Sequence, residues 1–104
     1  MTKSEITKAL KPLTKYGWDV KTFNHNKAMP TGARDWVDHF LVHESKGWII
    51  FIEVKIGKDS LSEGQTEYKK SLQSCCNANG KAQYILFPGK YKTIPELLDY
   101  LFNC

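Results

Sequence analysis

The stretch FIEVKIGKDSLSEGQ, from Phe51 to Gln65, decides how the rest of this chain is read. It continues an apolar, β-branched run, Ile49 to Val54, with the character of a strand buried on both faces. Glu53 and Lys55 stand at alternate positions and so share one face of that strand. A purely structural strand has little use for two opposite charges on one face beside a core. A polar loop follows. Ser62-Glu63-Gly64-Gln65 is then a capping box that opens a helix, with Gln65 at its third position.

The charges acquire a partner when the preceding strand is added. DHFLVHESKGWIIFIEVK, from Asp38 to Lys55, reads as two strands around a tight turn at Ser45-Lys46-Gly47. With the turn centred between Ser45 and Lys46, Asp38 falls opposite Glu53, Phe40 opposite Phe51 and Val42 opposite Ile49. Opposed residues point to the same face, with Cβ atoms about 5 Å apart. A slip of one residue would send Asp38 to the other face. This register gathers two carboxylates and one ammonium at the end of a mainly apolar sheet surface, and it turns His39 and His43 away from them.

The remaining elements follow from local signals. Thr2-Lys3-Ser4-Glu5 fits a capping box, and Ile6, Leu10 and Leu13 form the apolar stripe of a helix over 3–15. Pro12 kinks that helix or ends it early, and Gly17 stops it. WDVKTF, Trp18 to Phe23, is a short strand, and NHNKAMPTGARD is a polar loop. The helix opened by Ser62 ends near NANG, where Gly80 supplies a left-handed cap. AQYILF is another strand. Thr93-Ile94-Pro95-Glu96 opens a last helix carrying Leu97, Leu98, Leu101 and Phe102. The order is α-β-β-β-α-β-α, and the strand–helix–strand passage predicts a mixed sheet flanked by helices.

The chain has 104 residues, enough for one domain over 1–104 and one core. Its longest apolar run falls far short of the ~20 residues of a membrane span. The N-terminus lacks the apolar core of a secretory signal, so a cytoplasmic protein is expected. A net charge of +4 leans toward a polyanionic partner. Cys75, Cys76 and Cys104 lack metal-binding spacing and read as free thiols.

Two close carboxylates repel unless a cation lies between them. A divalent metal that takes oxygen ligands, Mg²⁺ or Mn²⁺, meets that need. It can lower the pKa of a bound water and polarise a phosphoryl oxygen. Lys55 would position water or stabilise phosphate charge, and the Val54 backbone carbonyl is a further candidate ligand. This is the equipment of a phosphodiesterase. Spacing alone equally allows a structural ion-pair cluster.

An acidic residue, a hairpin-length gap and then Glu-x-Lys at the end of an apolar strand resembles the PD-(D/E)xK nuclease superfamily. IEVK followed by GKDSLSEGQ resembles, more narrowly, its virus-type replication–repair nuclease (VRR-NUC) family. Members carry an E-V-K strand, a polar loop and an L-S-x-x-Q helix start, which Leu61, Ser62 and Gln65 match. Glu5 resembles the acidic residue that opens this domain in relatives.

The resemblance implies a restriction-endonuclease-like fold and Mg²⁺- or Mn²⁺-dependent DNA endonuclease activity. It implies a stand-alone viral or bacterial protein, structure-specific, homodimeric and suited to branched DNA such as Holliday junctions. The chain departs from the family at Gly32-Ala33-Arg34-Asp35, where relatives show Gly-x-Pro-Asp. Matching by the glycine favours Asp35 as the metal ligand, and matching by the hairpin favours Asp38.

The candidate catalytic residues are therefore Asp38, Glu53, Lys55 and Gln65. The metal ligands are Asp38, Glu53 and the Val54 carbonyl, with Glu5 or Asp35 as alternatives. Gln65 and Glu5 each have a second explanation, as part of a helix cap. Lys27, Arg34, Lys58, Lys69 and Lys70 are candidate phosphate contacts. Trp36 and Trp48 are candidates for a dimer interface. The rival readings are a nucleic-acid-binding module of the same fold without turnover, and a protein-interaction domain.

Overall fold

The computed structural model describes residues 1–23, 36–57 and 60–104. His25, Lys27, Arg34, Asp35 and Lys58 lie outside the described residues. Eight segments are formed in the expected order. They are α1 (Lys3–Leu10), a 3-10 segment (Lys11–Tyr16), β1 (Trp18–Thr22), β2 (His39–His43), β3 (Trp48–Val54), α2 (Glu63–Ala78), β4 (Ala82–Phe87) and α3 (Ile94–Phe102).

The strands form one mixed sheet in the order β1-β2-β3-β4. The first two pairings are antiparallel, and β3 and β4 run parallel with α2 as the crossover. The hairpin register is the expected one, with Phe40 opposite Phe51 and Val42 opposite Ile49. Gly47 makes the tight turn possible. It takes φ +72°, and its N–H reaches the His43 carbonyl at 2.8 Å.

One face of the sheet carries Leu41, Ile50, Ile52, Val54, Ile85 and Phe87, each buried. Ile6, Leu10 and Leu13 close over it from the N-terminal side, and Leu97 and Leu101 from α3. The other face meets α2. Its sheet-facing stripe, Gln65, Leu72 and Cys76, follows helical spacing. The expected burial of Ile49–Val54 on both faces is only partly realised. Ile49 is 39% exposed and Phe51 half-buried, because α2 leaves the β2 side of this face open.

One other expectation, the left-handed cap at Gly80, needs correction, and the first helix ends early, one of the two outcomes expected of Pro12. It is α-helical to Leu10, and Pro12, which has no N–H to give, falls in the 3-10 segment. Gly17, at φ +95°, then caps it through the carbonyls of Leu13 and Thr14. Gly80 is not a left-handed cap. The helix ends at an extended Asn79, whose side chain and backbone N–H satisfy the last carbonyls, at Cys75 and Cys76. Phe102, on α3, is 45% exposed and meets the Tyr16 ring edge-on at 4.9 Å.

Candidate functional site

Asp38 is held from both sides at the point where β2 begins. Its carbonyl accepts the Phe23 N–H at 2.9 Å, which prolongs the β1 ladder. Its carboxylate Oδ2 accepts the Val54 N–H at 2.8 Å. A side chain thus takes the amide that a longer β2 would have taken, and the hairpin ladder ends there. Continuing the observed register one step beyond His39 and Ile52 sets Asp38 across from Glu53. Asp38 is therefore the aspartate that the hairpin brings to Glu53.

Glu53 is only 2% exposed. Its Oε1 accepts from Gln65 Nε2 at 3.2 Å and lies 3.5 Å from Lys55 Nζ. Burial raises its pKa first and most. The Asp38 carboxylate raises it further, through charge and through a hydrogen bond between the two carboxyl groups. Lys55 opposes them, and the result is about 8 against an ordinary 4.5. Burial and a like charge thus outweigh one ammonium.

Gln65 serves both roles that its position suggested. Its Oε1 accepts the Ser62 N–H at 3.1 Å, and the Ser62 hydroxyl accepts the Gln65 N–H at 3.1 Å. That completes the capping box and directs the amide nitrogen at Glu53. Asp38, Glu53, Lys55 and Gln65 are therefore brought together.

Other candidates stand apart. Glu5 is exposed in the first turn of α1, where its backbone N–H donates to the Thr2 hydroxyl. Among the described residues, no hydrogen bond or ion pair joins its carboxylate to the pair. Lys69 is half-buried and Lys70 exposed, both on α2.

The histidines have structural roles. His43 Nδ1 accepts the Lys46 N–H and Nε2 lies 2.9 Å from the Tyr16 carbonyl, an arrangement that fits the neutral Nε2–H tautomer. His39 is buried on the far face, with Nδ1 3.0 Å from the Thr22 hydroxyl, and burial holds its pKa down. Trp36 and Trp48 do not share a face. Trp48 packs on the main core, whereas Trp36 meets Phe23, Phe40, Phe51 and Tyr68 edge-to-face at 5.6 to 6.2 Å.

One neighbour escaped the sequence. Tyr84 pairs with Phe51 in the parallel ladder and so lies on the face that carries Glu53. Burial raises its phenol pKa, with further contributions from Glu53 and Asp38. It is a neutral hydrogen-bond donor beside the carboxyl pair. Only the β3–β4 register could have disclosed it.

Among the described residues, no three or more His, Cys, Asp and Glu side chains gather for a metal. A cation at the carboxyl pair would draw its other ligands from backbone oxygen, water or substrate. The donor chemistry fits a hard divalent ion, and such a charge would relieve the repulsion that raises Glu53. Comparison with family models, curated proteins and solved structures gives no match. No helix among the described residues is long and apolar enough to cross a membrane.

Proposed function

We propose that the chain is a metal-dependent DNA endonuclease of restriction-endonuclease-like type, related to the VRR-NUC family. The observation that supports it most is a buried Glu53 set against Asp38, with Lys55 and Gln65 both on its Oε1. A structural ion pair would need one carboxylate for one lysine. Here a second carboxylate presses on the first at real cost, which is the mark of a site shaped for a further cation.

Asp38 and Glu53, with the Val54 carbonyl, would hold Mg²⁺ or Mn²⁺. When bound, the ion supplies Lewis acidity for a phosphodiester and hydroxide at neutral pH. Asp38 is fixed by the Val54 N–H and Glu53 by Gln65, so neither carboxylate need be ordered when substrate arrives. Lys55 would place its ammonium against phosphate charge. Lys27, Arg34, Lys58, Lys69 and Lys70 would contact the DNA backbone. Branched DNA and a homodimer come with this reading, as does action in the cytoplasm of a cell or of a phage host.

Incubation of the protein with branched and linear DNA, with and without Mn²⁺, tests the proposal. Metal-dependent cleavage is expected, lost in Glu53→Ala. Cleavage no greater than that of the variant refutes it. DNA binding without cleavage would instead identify a binding module of the same fold.

A further inference from the structure

The open part of the α2 face forms a groove of about 580 Å³. Phe51 and Ile49 form its sheet side, Leu72 and Cys76 its helix side, and Gly80 and Lys81 its far end. It starts two residues before Glu53 on the same face of β3, about 7 Å away by strand rise. Phe51 at that near end is stacked on Phe40, with centroids 5.1 Å apart. The groove thus leads away from the carboxyl pair along one strand.

Its two ends differ chemically. The walls are mostly carbon, with an exposed Ile49 along the sheet side. One lysine, Lys81, stands at the far end, where its Nζ donates to the Lys46 carbonyl at 2.9 Å. An apolar slot with a lysine at its end suits a flat base attached to a phosphate chain.

We infer that the groove takes an unpaired nucleobase of the DNA strand whose backbone lies at Asp38 and Glu53. The inference rests on the nuclease reading, and it names the substrate class as DNA with unpaired nucleotides next to the cut. It accounts for an apolar face left uncovered beside a polar site.

Gly80 provides the probe. A Cβ there meets nothing within 4 Å, and its φ is outside the left-handed region, so Gly80→Trp can fill the groove without strain. Binding is measured by fluorescence anisotropy in EDTA, with labelled twelve-nucleotide oligothymidylate and an abasic strand of equal length and charge. The thymidine strand is expected to bind about tenfold tighter or more. Gly80→Trp is expected to lose that preference while melting at the wild-type temperature.

Equal binding of the two strands overturns the inference, as does an undiminished preference in the variant. A wild-type dimer that Gly80→Trp dissociates would assign the groove to a second copy and also overturn it. Mn²⁺-dependent cleavage, assayed on the same preparations against Glu53→Ala, reports separately on the nuclease reading.

Discussion

Glu53 should make the folded chain less stable as the solution becomes more alkaline, which is unusual for a carboxylic acid. Its pKa is raised in the fold, so the folded chain keeps a proton that the unfolded chain has already lost. The stabilisation is complete below the ordinary value of 4.5 and is lost as the pH rises through about 8. Each pH unit in that window costs about 1.4 kcal/mol. The window as a whole amounts to several kcal/mol, a large share of a small domain's stability.

The measurement is urea unfolding in EDTA from pH 4.5 to 8.5, for wild type and Glu53→Gln. Gln keeps the shape and cannot ionise, so the difference between the two curves reports the carboxyl pair, Glu53 together with the Asp38 carboxylate against it. Wild type should lose several kcal/mol more than the variant across the range. Saturating Mn²⁺ at pH 8 should restore wild type and leave Glu53→Gln unchanged, since ligand binding to the folded state adds stability. Parallel curves for the two proteins would refute the argument that burial and Asp38 hold Glu53 in its neutral form.

Three further outcomes follow from the geometry. Gly17→Ala places a methyl 2.7 Å from His43 Nε2 at φ +95°, so it should destabilise the chain by about 1–3 kcal/mol in urea unfolding. Gln65→Leu removes one of the donors on the buried Glu53 carboxyl and the acceptor of the Ser62 N–H, and a loss of about 1–3 kcal/mol is expected by the same assay. If the chain cleaves DNA, Lys55→Ala should lower kcat about a hundredfold with little change in DNA affinity, as seen by single-turnover cleavage and anisotropy.

Much of the fold was legible because its signals are local. Ser62 with Gln65, Thr93 with Glu96 and the Ser45-Lys46-Gly47 turn each act within a few residues, and each does its expected work. The hairpin register carried that locality across to Asp38 and Glu53. What escaped depended on distant packing. Tyr84 reaches the site through a strand paired in parallel across a whole helix, which no turn residue specifies. The open side of β3 reflects where α2 settles, and an apolar run looks alike whether or not a helix covers it. The early end of the first helix, by contrast, was legible at Pro12, where one missing N–H interrupts an otherwise continuous apolar stripe.

The Gln65 amide has a further consequence. Its oxygen accepts the Ser62 N–H while its nitrogen donates to Glu53, so turning the group over would break both bonds. The start of α2 and the state of the carboxyl pair are thereby one mechanical unit. A charge arriving at Glu53 is felt at the Ser62 amide, a residue that touches neither carboxylate. Exchange of that single hydrogen would serve as a gauge of what occupies the site, readable before any bond in a substrate is broken.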